Sequence, residues 1–176
     1  MKYFQGIILV LLIIGCTKTE NDNIPNENEK LLKDHEIIKP QIVVYRKERK
    51  VINVTSEKLA KNNNEDALLS GNVVADFFDD DGNHTSLMLS DSAMINEGAN
   101  NFEAFSNVVV ISDSGLTLRT EKLFWDNRYK LITSKDSVLF TTESKDTLQG
   151  IGFESDMDLS NWKILKPTGV TGRVIK

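Results

Sequence analysis

The sequence predicts an all-β domain over residues 40–176, an array of antiparallel hairpins, and three observations predict it. From Gln41 onward the apolar residues alternate or come in short runs rich in β-branched and aromatic side chains, the pattern of half-buried strands. Turn-forming groups stand between those runs: Asp81-Gly82-Asn83, Glu97-Gly98-Ala99-Asn100, Asp113-Ser114-Gly115, Asp126-Asn127 and Ser144-Lys145-Asp146. Two phrases also recur at nearly one period, which marks repeated hairpin units.

The first phrase runs Ser70-Gly71-Asn72-Val73-Val74, Phe105-Ser106-Asn107-Val108-Val109 and Lys135-Asp136-Ser137-Val138-Leu139, with its valines spaced by 35 and 30. The second runs from Val54, Met88, Leu118 and Leu148, spaced by 34, 30 and 30. Each unit reads as strand, turn, strand and a further extended piece. Only Ser56 to Asn64 carries a weak helical signal, and the second phrase makes its beginning a strand instead.

What precedes the domain reads as address and tether. Lys2 is followed by an unbroken run of glycine and aliphatic residues from Gly6 to Gly15, then by Cys16. That run is about half of the roughly twenty residues needed to span a bilayer, which suits the apolar core of a secretory signal covering residues 1–15. Aliphatic residues, a small residue and the chain's only Cys resemble a bacterial lipobox, in which Cys16 is acylated after cleavage. A short uncleaved anchor is the alternative, and either version tethers the chain. Residues 16–39, rich in Asn, Glu, Asp and Lys with Pro25 within and Pro40 after them, read as the acylated Cys and a solvated, flexible tether.

Composition excludes several classes of function. The 176 residues include one Cys and two distant histidines, His35 and His84, so no disulfide, Cys-rich zinc site, cofactor or other metal is expected. A net charge of −5 with scattered Lys and Arg argues against nucleic acid as a partner. No Gly-x-Ser-x-Gly, His-Glu-x-x-His or P-loop occurs, so the chain is not expected to be an enzyme. Asp79 to His84 lacks the later glutamate of a calcium loop and reads as a hairpin tip. The triplets at Asn53 and Asn83 match glycosylation acceptors by chance.

On the strands, Val73, Ala75 and Phe77 share one face, as do Val108 with Val110 and Val138 with Phe140, while Asp76 and Ser106 point the other way. Large residues recur on or near the apolar face, among them Phe102, Trp125, Phe153 and Trp162. Two readings stay open: these side chains fill a closed core, or they line a cavity for lipid.

The signal and anchor, the polar tether and the ordered phrases "GNVV…DDDGN…L.LSDSAMI", "FSNVVVISDSGLTLRTEKLFWD" and "SKDSVLFTTESKDTLQGIGFESDMDL" resemble the LptC family of lipopolysaccharide export proteins, with the related LptA and OstA-like periplasmic domains. The resemblance covers roughly residues 40–176. It implies an antiparallel β-jelly-roll, or β-taco, whose inner face holds lipopolysaccharide acyl chains. It also implies that the chain receives lipopolysaccharide from an inner-membrane ABC transporter complex (LptBFG-like) and passes it to a periplasmic bridge protein (LptA-like). The expected place is the periplasmic face of the inner membrane. Familiar members keep an uncleaved membrane helix, whereas this chain carries Cys16 in a lipobox-like setting.

Under that resemblance the expected lining is Val73, Ala75 and Phe77, then Met88, Val108 and Val110, then Leu118, Val138, Phe140 and Leu148. The C-terminal stretch from Trp162 through Ile164, Val170 and Val174 is the expected partner edge, open to β-augmentation, and Gln41 to Tyr45 would face the transporter. Gly150 and Gly152 match a glycine-containing phrase of similar sequences; a bulge or tight bend explains them equally. Two rival readings are a structural or adhesive cell-envelope β-sandwich lipoprotein without a lipid cavity, and a hydrolase using a carboxylate pair such as Asp91 with Glu121.

Overall fold

The computed structural model describes residues 35–61, 66–96, 98–99 and 101–171. Among them eleven antiparallel strands form one open sheet: β1 (His35–Ile38), β2 (Gln41–Arg46), β3 (Arg49–Thr55), β4 (Lys58–Lys61), β5 (Ala67–Phe78), β6 (His84–Asn96), β7 (Asn101–Ser112), β8 (Thr117–Asp126), β9 (Leu131–Thr141), β10 (Thr147–Asp156) and β11 (Trp162–Thr171). From β5 to β11 each strand pairs with its sequence neighbours, as a chain of hairpins requires. The C-terminal half of β5 pairs with β3 and its N-terminal half with β4. Strands β3 and β4 therefore act as one broken strand, and so do β2 and β1, which pair with them in turn.

All five sequence turns join consecutive strands, and the Ser56–Asn64 stretch forms β4 over Lys58–Lys61. Pairing begins at His35, within the segment whose composition reads as tether. All four residues of β1 are exposed, so this strand is made by backbone bonding to β4 and leaves little imprint on apolar pattern.

The two repeated phrases mark where every long strand bends. The ladder shifts register between Ser70 and Val73, Leu89 and Ser92, Phe105 and Val108, Thr120 and Phe124, and Ile151 and Phe153. Such bulges kink a strand and raise its local twist. Here they fall side by side, so the sheet folds along one crease into two facing arms. Asn72 (φ 46°), Ser106 (φ 62°) and Asn107 (φ 54°) adopt the left-handed backbone there, which Asn tolerates better than most residues. Outside the crease, Asn72 Nδ2 donates to Glu57 Oε1 at 2.5 Å and Asn107 Nδ2 to Asp91 Oδ2 at 2.7 Å. Inside it lie buried hydroxyls. Ser56 Oγ donates to the Lys58 carbonyl and Ser90 Oγ to the Ser92 carbonyl, both at 3.0 Å, while Thr120 Oγ1 donates to the Ser137 carbonyl at 3.1 Å. A hydroxyl bonded two residues ahead leaves no orphan polar group at the fold line.

Gly152 shows why glycine stands in the last crease. It sits at φ +80°, and a Cβ would fall 2.9 Å from Leu165 Cδ1. At Gly150 a Cβ would fall 2.2 Å from Ile164 Cγ2 and 2.6 Å from the Lys166 carbonyl oxygen. The bulge in β10 and the close approach of β11 thus require both glycines.

Inner faces of the two arms meet over most of the sheet. Phe77 on β5 packs edge-on against Trp125 on β8, with ring centroids 5.6 Å apart. Phe140 on β9 lies 5.5 Å from Phe153 on β10 and 4.5 Å from Trp162 on β11. Ser86 Oγ on β6 donates to the Met157 carbonyl in the β10–β11 loop at 2.7 Å.

Candidate functional site

At the N-terminal edge the arms stand apart. Strands β1 and β2 follow one another in sequence, yet each pairs on its own arm, β1 with β4 and β2 with β3. The switch occurs at Lys39, which takes φ 52° and donates its N–H to the Glu57 carbonyl at 2.8 Å. Between the two edges lies a cavity of about 460 Å³, within the size range of small-molecule sites. Ile42 and Val44 of β2 and Ile52 and Val54 of β3 form one wall; Ile37, Leu59, Ala67, Ile95, Phe102 and Trp125 form the other. His35, Lys61 and Asn101 are its only polar lining residues, and none is acidic.

Alternation explains this lining. Strand β2 runs exposed, half-buried, exposed, half-buried, so Ile42 and Val44 face inward while Gln41, Val43 and Tyr45 face out. No strand covers β2 or β1 on the far side. Two polar atoms near this cavity, Trp125 Nε1 and Asn101 Oδ1, are buried without a hydrogen-bond partner.

Trp125 is also a wall of a second, polar cavity of about 370 Å³ at the arm tips. There the β5–β6 turn supplies Asp79, Asp80 and Asp81, the β10–β11 loop supplies Asp156 and Asp158, and Arg46 and Lys130 supply the cations. Asp79 closes its own turn: its carboxylate accepts the Asn83 side-chain amide at 3.0 Å and the N–H groups of Asn83 and Asp81 at 2.8 and 2.9 Å. These bonds, the Asn83 side chain first, hold its carboxyl below the usual carboxylate range. Lys130 pairs with Asp80, and that hydrogen bond is the main reason the Asp80 carboxyl is lowered. Burial acts to raise the Asp156 carboxyl, but hydrogen bonds with Asp158, Asn161 and Ser160 outweigh it and set it at about 2.

The residues expected to line a groove lie deeper than either cavity. Val73, Ala75, Phe77, Met88, Val108, Val110, Leu118, Val138 and Phe140 are buried core, and Leu148 is half-buried against it. None of the ten lines the apolar cavity. Of the expected partner edge, Trp162 is partly exposed at the start of β11 and Ile164 packs on the core. Val170 pairs with Leu148 through the backbone, while its side chain, Val174 and Cys16 lie outside the described residues. Asp91 and Glu121 sit on β6 and β8 with β7 between them, and the Asp91 carboxylate is taken up by Asn107.

Sequence reasoning singled out Phe102 and Trp125 as large residues near the inner face, but passed over Ile42, Val44, Ile52, Leu59, Ala67 and Ile95 as lining. Their alternation was the available signal, the same one that marked Val73, Ala75 and Phe77.

Comparison with known proteins gives one family. The model of the family described as OstA-like protein matches residues 47–162, from the β2–β3 turn to the start of β11. No curated protein matches the chain.

Proposed function

We propose a function on the premise that this chain belongs to the OstA-like protein family, whose model covers most of it: it is a periplasmic carrier of lipopolysaccharide in the export machinery. In the finer reading it acts in the manner of the LptC family, receiving lipopolysaccharide from an inner-membrane ABC transporter complex (LptBFG-like). It then passes the molecule to a periplasmic bridge protein (LptA-like). It is not an enzyme; the transporter supplies the energy. Acylated Cys16 would hold it at the periplasmic face of the inner membrane.

The observation that carries this reading is the apolar cavity between the two unpaired N-terminal edges. Each CH₂ taken from water is worth about 0.8 kcal/mol, so several acyl chains crossing an aqueous space would cost on the order of tens of kcal/mol. A cavity walled by aliphatic side chains on two arms removes that cost. Its position at an open sheet edge lets chains enter sideways, without threading. Beyond it, parting of the arms would continue the trough along Phe77, Met88, Val108, Leu118 and Phe140, the inner faces that meet in this structure. The free edges of β1, β2 and β11 are open for strand addition by neighbouring domains.

A photo-crosslinking amino acid at Phe102 in the cavity, and another at Phe140 deeper in the trough, tests this in cells. Capture of lipopolysaccharide at Phe102 supports the carrier; capture at Phe140 as well supports the parted arms. Efficient labelling with no lipid adduct at either position removes the carrier and favours a structural envelope protein.

A further inference from the structure

Trp125 is the only wall shared by the apolar cavity and the polar cavity at the arm tips. Its ring is 4% exposed, held edge-on by Phe77, and its Nε1–H has no acceptor. A buried indole N–H without a partner forfeits a hydrogen bond worth about 1–3 kcal/mol. The compartments on either side differ sharply in chemistry. One is aliphatic and holds no acid. The other brings together five carboxylates, Asp79, Asp80, Asp81, Asp156 and Asp158, and two cations, Arg46 and Lys130.

We infer that Trp125 is a movable partition, and that this end of the domain binds an amphiphile astride it, with an acyl chain in the aliphatic compartment and a neutral, hydroxylated sugar head in the acidic one. A sugar fits because each hydroxyl both donates to carboxylates and accepts from Arg46 or Lys130, and because an indole gives a sugar an apolar face and one N–H to bond. An anionic head meets five carboxylates against two cations and is disfavoured by like charge. Rotation of the ring joins the two compartments and gives Nε1–H an acceptor in the bound head. The inference rests on the carrier reading and deepens it, since it assigns which part of a glycolipid this end grips.

Only two tryptophans occur in the chain, so the full-length protein carrying Trp162→Phe reports on Trp125 alone. Its emission is titrated with dodecyl maltoside, dodecyl phosphate and dodecanoate, each below its micelle concentration. A saturable spectral change with dodecyl maltoside, at an affinity about tenfold above the two anionic amphiphiles, is expected. Asp81→Asn with Asp158→Asn should narrow that gap, and Trp125→Phe should abolish it while displacement of a fluorescent fatty acid still reports an occupied apolar cavity. Equal affinity for all three heads, preference for phosphate, or no change in Trp125 emission overturns the partition. If the crosslinker at Phe102 still captures lipopolysaccharide, only the partition falls; if that capture fails as well, the carrier reading falls with it.

Discussion

Arg46, near the end of β2, reaches across the arm tips to Asn127 in the β8–β9 turn and donates to both its backbone carbonyl and its side-chain oxygen. The same guanidinium stands 4.0 Å from Asp80, which Lys130 of that turn also holds. Turns distant in sequence are thereby tied together beside the cavity. Asn127 is buried, so Arg46→Met leaves its two acceptors unpaired, at a cost of about 1–3 kcal/mol. Urea unfolding should show that loss, and amide exchange in β2 should quicken relative to β9. Unchanged exchange in β2 would mean that the clamp does not hold the arms.

Gly150→Ala places a methyl group 2.2 Å from Ile164 Cγ2 and 2.6 Å from the Lys166 carbonyl oxygen. The side chain can turn aside, but the backbone oxygen cannot. Overpacking of this kind costs about 1–3 kcal/mol. Thermal unfolding should fall by several degrees, and Gly150→Ala combined with Ile164→Ala should recover only part of it. Full recovery would show that β11 is free to shift away.

Asn107 tests the crease. At φ 54° a β-branched side chain is strained by about 1–2 kcal/mol, so Asn107→Val should destabilise the domain well beyond Asn107→Gly. Asn107→Asp should also destabilise, since it sets a carboxylate beside that of Asp91. Denaturant midpoints for the three variants rank these effects, and equal midpoints for Val and Gly would refute the crease geometry.

Acid should loosen the β10–β11 loop through Asp156. Its folded-state pKa, about 2, lies below the ordinary 3.8, so folding favours the ionised form. That contribution is complete above pH 3.8 and is lost as pH falls through 2. Asp156→Asn should therefore cost stability near neutrality, about 1 kcal/mol once solvent screening of a largely exposed carboxylate is allowed for. Unfolding curves at pH 7 and pH 2 should show the wild-type and variant proteins converging at the lower value. A constant difference between them would assign the loop's stability to other bonds.

The hairpins and the crease were legible because each repeats. Asn72 and Asn107, or Ser56, Ser90 and Thr120, occupy equivalent bends, and the same local demand draws similar residues each time. The cavity was not legible in the same way. Ile42 and Val44 alternate like Val73 and Ala75, and a period of two tells which face is inward without telling whether an opposing face touches it. That depends on where the arms diverge, which is set by one left-handed residue, Lys39. Strand β1 escaped notice because backbone hydrogen bonds to β4 have no side-chain signature and its four residues are exposed.

The switch at Lys39 has a mechanical consequence. Tension on the backbone ahead of His35 loads β1 first, and only four residue pairs join β1 to β4. That ladder would yield before the longer hairpins behind it, peeling Ile37 off the cavity wall while β2 keeps its hold on the opposite arm. A tug on the leash of this domain would thus unlatch one side of its binding slot and leave the body of the sheet intact.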